Sequence, residues 1–158
     1  MGDLNKTKKE LLKELQELKK QQTESSNANS KFLFQEVFTQ NPLPMWIYDL
    51  STYQMLEVNE KACSTYGYNR EAFLKMSIID IRPEEDKKEL VNHLEQFRKD
   101  KSTRCNWRHQ YKSGQIVNVR IASNKIEFQG KEAVLVSISD IKSERLKLIQ
   151  SEKRLNLI

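Results

Sequence analysis

Apolar and polar residues alternate over the centre of the chain as they do in β-strands. Residues 44–50 and 53–58 form two short apolar runs separated by Ser51 and Thr52, which predicts a hairpin. Both faces of the first run are apolar, so we expect other parts of the fold to bury both faces of this strand.

Three further strands are predicted in the last third of the chain. Residues 103–111 and 116–128 alternate, and residues 132–140 are apolar enough for a central strand. Turn residues at 112–115 and 129–131 separate them, which predicts two more hairpins.

Helical signals fill the segment between the two groups of strands. Asn59 and Asn69 are suitable N-caps, and Gly67 is placed to end the first helix. Pro83 opens a longer helix. Apolar residues then recur at helical spacing, which predicts an amphipathic helix with one buried face: Leu90, Val91, Leu94 and Phe97.

The two ends of the chain are predicted as connector helices. Leu4, Leu11 and Leu18 repeat every seven residues in residues 1–22, which is the spacing of a short coiled-coil seam. The small polar residues 23–30 predict a linker, and a second short helix is expected over residues 31–39.

A further helix is predicted over residues 142–158. Ile141, Leu148 and Leu155 again lie seven apart. We expect this helix to continue into a following domain.

Five short motifs occur in an order and spacing that resemble the PAS domain of bacterial and archaeal signalling proteins such as sensor histidine kinases. The resemblance covers residues 31–145, and the domain itself is expected over residues 31–141. It implies an α+β fold, a five-stranded antiparallel sheet with helices on one face, flanked by coiled-coil-like helices. The motifs are NPLPMWIYDL at 41–50, VNEKA at 58–62 with YGYNREAF at 66–73, DIRPEED at 80–86, WRHQYKSG at 107–114 and SDIKSER at 139–145.

The resemblance places a ligand pocket between the sheet and the helices. The candidate lining residues are Trp46, Tyr48, Met55, Tyr66, Ile78, Leu90, Leu94, Trp107, Val119 and Leu135. Each of them is also a normal core residue, so a fully packed core is the competing interpretation.

The exit motif of the family commonly reads Asp-Ile-Thr, whereas this chain has Lys142 at the third position. Asp140 or Ser143 could cap the exit helix instead. The residues expected to relay a signal are Asp140, Ile141, Leu148 and Leu155.

The cofactor of such a domain is unknown from the sequence, but two classes are disfavoured. The resemblance aligns the usual heme-ligand position with Leu90, and His93 lies three residues further on. Flavin photochemistry needs a cysteine within residues 76–82, and Cys63 and Cys105 lie elsewhere.

Charged ligands would require an arginine that points into the core. Arg104, Arg108 and Arg120 alternate with the apolar face of their strands and are expected to point to solvent or to a partner. No metal-site or catalytic motif is present, so we expect a regulatory module rather than an enzyme.

The net charge of +5 does not indicate a nucleic-acid surface. The excess of positive charge lies in residues 1–22 and 141–158, mixed with acids, while residues 23–140 are neutral overall.

No apolar run is long enough to span a membrane. Two isolated cysteines are typical of reduced thiols, so a cytoplasmic location is expected even if the parent protein is membrane-anchored.

Two functions remain open at this point. The chain could be a homodimeric sensor that binds a small apolar ligand and relays a signal through its exit helix to an output domain, such as a histidine kinase or a diguanylate cyclase. Alternatively, it could be a ligand-free dimerisation or docking module with a packed core.

Overall fold

The computed structural model describes residues 7–99 and 102–155. The chain divides into two compact units, Met1–Val37 and Phe38–Ile158.

The first unit is built from one long helix, α1 (Lys8–Phe34), and a π-helical turn, Gln35–Thr39, follows it along the chain. A reciprocal capping box opens α1, in which the Glu10 amide donates to Thr7 Oγ1 at 3.4 Å and the Thr7 amide donates to Glu10 Oε2 at 2.7 Å. The Thr7 hydroxyl also donates to Glu10 Oε2, at 3.0 Å, and the two bonds from Thr7 to this carboxylate lower the pKa of Glu10. None of the residues in α1 is buried.

The predicted linker at residues 23–30 is wrong, because these residues lie inside α1 and join the two helices that were expected to be separate. Serine, threonine and asparagine disfavour a helix interior by only about 0.7 kcal/mol each or less. The segment has no glycine or proline, which are the residues that break helices. Thr23 also donates its hydroxyl to the Lys19 carbonyl at 2.8 Å, within the helix.

The second unit contains five strands and four α-helices among the described residues. They are β1 (Met45–Asp49), β2 (Met55–Val58), α2 (Glu60–Tyr66), α3 (Arg70–Leu74), α4 (Lys87–Phe97), β3 (Ser102–Gln110), β4 (Ile116–Phe128), β5 (Lys131–Asp140) and α5 (Ile141–Leu155). A 3₁₀ turn, Glu84–Asp86, directly precedes α4. The strands form an antiparallel sheet in the order β2-β1-β5-β4-β3, which confirms the predicted α+β fold class.

The caps predicted for the short helices are confirmed. Asn59 Oδ1 accepts from the Ala62 amide at 2.9 Å, and Asn69 Oδ1 accepts from the Ala72 amide at 2.8 Å. Gly67 ends α2 at a φ of 84°, a left-handed conformation in which a side chain would be strained.

Both faces of β1 are buried, as predicted. Trp46 and Tyr48 belong to the large core cluster that includes residues of α2, α3 and α4. Ile47 points to the opposite face and packs with Phe38 and Ala133 in a smaller cluster. The large cluster is the one that positions the candidate site.

Candidate functional site

A small cavity of about 30 Å³ lies in the large core cluster, beside α4 and β3. A cavity needs about 10–15 Å³ to hold one water molecule, so this cavity has space for at least one. Its lining residues are Trp46, Tyr48, Ile78, Arg82, Leu90, His93, Leu94, Phe97, Thr103, Cys105, Trp107, Ile121, Ser123 and Val136.

Six of the ten residues predicted from sequence lie on this cavity: Trp46, Tyr48, Ile78, Leu90, Leu94 and Trp107. Met55, Tyr66 and Val119 are buried in the same core cluster without lining the cavity.

Leu135 is wrongly assigned by the sequence analysis. It packs against the smaller cluster on the other face of the sheet. It pairs with Ile47 of β1, whereas its neighbour Val136 pairs with Trp46 and reaches the cavity. Because successive strand residues point to opposite faces, the cavity side of β5 is occupied by Val134, Val136 and Ile138.

Arg82 lies on the cavity although it is not among the residues predicted from sequence. Its side chain lines the cavity with only 5% of its surface exposed. The guanidinium lies 5.0 Å from the centre of the Trp107 ring, within the range of a cation–π interaction. Its Nε and Nη1 groups are buried and have no hydrogen-bond partner among the described residues. Burial lowers the pKa of Arg82 to about 10, so the group is still charged at neutral pH.

Asp86, four residues after Arg82, is held by a different arginine. Arg108 donates from Nε to Asp86 Oδ2 at 2.9 Å, binds Asp86 again through Nη2, and reaches Glu85 at 3.1 Å. These bonds lower the pKa of Asp86. Arg108 therefore pairs with acids of its own chain while 40% of its side chain remains exposed, and Arg104 and Arg120 are exposed as predicted. Arg108 lies on the edge strand β3, where a long side chain can reach the 3₁₀ turn.

Tyr66 and His109 form a buried polar pair in the core. The Tyr66 hydroxyl and His109 Nδ1 are 2.5 Å apart, and both side chains are almost completely buried. The other ring nitrogen, Nε2, has no hydrogen-bond partner in the described part of the chain. Burial, with a smaller contribution from the charge of Arg82, lowers the pKa of His109 well below its ordinary value, and burial raises the pKa of Tyr66.

His93 lies half-buried on α4, where it lines the cavity and meets the Trp107 ring edge-on at 5.5 Å between centroids. Trp107 Nε1 donates to Cys105 Sγ at 3.2 Å. Cys63 and Cys105 are both free, and burial raises the pKa of each thiol. No metal-binding group of three or more His, Cys, Asp or Glu residues occurs within residues 7–99 and 102–155.

The last strand of the sheet leads directly into the C-terminal helix. β5 passes into α5 without a loop, and Asp140 Oδ1 accepts from the Lys142 amide at 2.8 Å, which replaces the hydroxyl missing from the exit motif. Ile141 is the first residue of α5, and its side chain lies outside the described residues. Leu148 and Leu155 are 61% and 70% exposed.

An antiparallel sheet with a small cavity between the sheet and α4, and an exit helix joined to a central strand, defines a sensory-type regulatory domain. The sequence profile of the PAS fold family matches residues 33–141, and the chain belongs to this family. PAS domains are regulatory and non-catalytic modules of signalling proteins. No protein of curated function matches the chain.

Solved structures share the fold at low sequence identity. A PAS domain from a two-component sensor histidine kinase is 23% identical with a TM-score of 0.62, over 73% of this chain and 98% of its own. The PAS domain of an HTR-like protein from Haloarcula marismortui is 19% identical with a TM-score of 0.64, over 77% and 99%. A PAS domain of a LuxR-family transcriptional regulator from Burkholderia thailandensis, solved in complex with ethanol, is 11% identical with a TM-score of 0.58, over 69% of this chain and 97% of its own.

Within the described residues, no helix has the length and hydrophobicity needed to span a membrane.

Proposed function

We propose that this PAS domain is the sensing and relay module of a homodimeric signalling protein. A ligand-dependent change in the cavity would alter the position of α5 and so bias an attached output domain between two states. The observation that carries this proposal is the continuity of β5 and α5: Val136 lines the cavity, and four residues later Asp140 caps the exit helix.

The output domain would be of the kind found in signalling enzymes or regulators. This is supported by the similar PAS domains from a sensor histidine kinase and from a LuxR-family regulator. A reducing, cytoplasmic compartment is supported by the two free thiols of Cys63 and Cys105.

Dimerisation would bury the exposed leucines of the two terminal helices against their copies in the second chain. On α1 these are Leu11, Leu15 and Leu18, each about half exposed, and on α5 they are Leu148 and Leu155. An exposed apolar stripe with heptad spacing is typical of a helix that pairs with a second helix.

Replacing Leu148 and Leu155 together by glutamine is expected to weaken the dimer by at least about 100-fold, because a buried leucine contributes about 1.5–3 kcal/mol. Sedimentation equilibrium of the full chain measures this change. The matched control is Gln150→Ala with Lys153→Ala, two exposed positions on the same helix, which should leave the dissociation constant unchanged. A monomeric wild-type chain, or equal weakening by both double variants, would contradict dimerisation through this seam.

The relay is tested by disulfide cross-linking in a Cys63→Ser, Cys105→Ser background. Leu148→Cys should cross-link between chains faster than Gln150→Cys, and ligand addition should change the ratio of the two rates. A ratio that no ligand changes would contradict the relay while leaving dimerisation intact.

The competing function, a ligand-free dimerisation or docking module, is supported by the small size of the cavity, about 30 Å³. Native mass spectrometry separates the two functions. A dimer with added mass indicates a sensor, and a dimer at the bare polypeptide mass favours the packed module.

A further inference from the structure

Arg82 is a buried cation with few groups around it that balance its charge or accept hydrogen bonds from it. A buried cation is costly unless it is paired and hydrogen-bonded. Two of its donors lack partners among the described residues, and Asp86 is held by Arg108 instead. The Trp107 ring provides one favourable electrostatic contact, and the charge of Asp86, which is shared with Arg108, provides another.

The walls of the cavity suit an anion. The described lining residues include no aspartate or glutamate, and the carboxylate whose charge acts on Arg82, that of Asp86, lies outside the lining. Tyr48, Thr103 and Ser123 bring hydroxyl groups to the cavity, and burial raises the pKa of Tyr48, so its phenol stays protonated and able to donate. The rest of the wall is mainly aromatic and aliphatic, which excludes water and strengthens an interaction between a cation and an anion.

The size of the cavity restricts the ligand to a few atoms. A volume of about 30 Å³ is two to three times the about 10–15 Å³ that a cavity needs to hold one water, so it admits at most two or three non-hydrogen atoms, the number in formate. Access is available from an outer groove of about 530 Å³ beside α4 and β3, which shares His93, Cys105 and Trp107 with the cavity. Acetate would require the half-buried rings at this boundary, His93 and Trp107, to move outward.

We infer that the Arg82 cavity is a binding site for a small monocarboxylate of one or two carbons, with the carboxylate on the Arg82 guanidinium. Guanidinium donors match the geometry and charge of carboxylate oxygens better than those of any neutral ligand of this size. A single water would fit the space but would bring no charge, so Asp86, which Arg108 also binds, would remain the only carboxylate known to act on Arg82 among the described residues. This inference rests on the proposed sensory function and names the ligand class that would occupy its site.

Titration of the full chain with sodium formate, followed by tryptophan fluorescence, tests the site. The chain has two tryptophans, and both line the cavity. Formate should give a saturable change and raise the melting temperature. Formamide, which has the same size without the charge, and sodium chloride at the same ionic strength should do neither. An equal response to formamide or chloride, or no response to formate and acetate, overturns the inference.

Variants locate the site. Arg82→Met should abolish the formate response, and Arg82→Lys, which keeps a charge if the methionine variant does not fold, should raise the dissociation constant at least about tenfold. The control Arg104→Met removes an exposed arginine from the same sheet and should bind formate as the wild type does. An unchanged response in Arg82→Met and Arg82→Lys overturns the site, as does a crystal structure in formate that shows only ordered water beside Arg82. Because dimerisation through α5 is measured without any ligand, failure of formate binding can be distinguished from failure of the dimer that the proposed function requires.

Discussion

Replacing Asn59 by alanine is expected to lower the free energy of unfolding by about 4 kcal/mol, a large part of the stability of a domain of this size. The Asn59 side chain is 1% exposed and makes four hydrogen bonds to backbone groups. Its Oδ1 accepts from the amides of Met45 and Ala62 at 3.0 and 2.9 Å. Its Nδ2 donates to the carbonyls of Phe38 and Leu43 at 3.1 and 2.9 Å. Alanine leaves these backbone groups without their partner, and each buried one costs about 1–3 kcal/mol unless water reaches it.

Asn69→Ala is the matched control for this measurement. Asn69 also caps a short helix, but its bond to Ala72 is at the surface, and losing such a cap costs about 1 kcal/mol. Urea unfolding of both variants should show similar slopes and well-separated midpoints. Equal losses of stability in the two variants would mean that Asn59 acts only as a helix cap and does not connect β1, α2 and the segment before β1.

Much of the fold could be predicted because local signals agree with tertiary structure. Asn59 and Gly67 bracket α2 as predicted, and the alternation of residues 116–128 predicts β4 with the bounds it has in the structure. In these elements the residue that the local geometry requires is also the residue that the core requires.

The errors arise where several patterns fit the same residues. Small polar residues favour a linker by composition, yet nothing in residues 23–30 prevents a helix from continuing through them. Residues 133–136 of β5 are all apolar, so the sequence does not indicate which face Leu135 occupies. The pairing of Leu135 with Ile47 decides this, and it is a long-range contact.

Arg82 was missed for a different reason. It lies between Ile81 and Pro83 in a segment without helical or strand periodicity, so no rule of alternation indicates where its side chain points. Arg108 belongs to a clear strand pattern, but its position on the edge strand lets it reach Asp86. The chemistry of the candidate site therefore depends on residues whose orientation only the folded chain defines.

His109 should make the stability of the domain fall as the pH is lowered below about 6.5. The pKa of this group is well below 6.5 in the folded protein and ordinary in the unfolded chain, so the unfolded state binds the proton first. The contribution of His109 to the free energy of unfolding is therefore fully present above pH 6.5. Below that pH it is lost at up to about 1.4 kcal/mol per pH unit, until the folded-state pKa is reached. We expect a loss of about 2 kcal/mol between pH 7.5 and pH 5.

The groups that face His109 reinforce this dependence. The ring stacks at a tilt on Trp46, its Nδ1 is bonded to the Tyr66 hydroxyl, and the charge of Arg82 opposes a second cation nearby. Asp49 and Asp86 also have lowered pKa values, but below 3.8, so they contribute at more acidic pH than the range chosen here.

Urea unfolding at several pH values between 7.5 and 5 measures the effect, with the two histidine residues of the chain compared directly. His109→Asn offers a neutral amide to the Tyr66 hydroxyl, so it should remove most of the pH dependence, although it lowers stability at pH 7.5 by leaving a smaller side chain in the core. His93→Gln, at a half-buried position on α4, should keep the wild-type slope. If His109→Asn retains that slope, or if His93→Gln loses it, protonation of the buried His109 is not the source of the acid sensitivity.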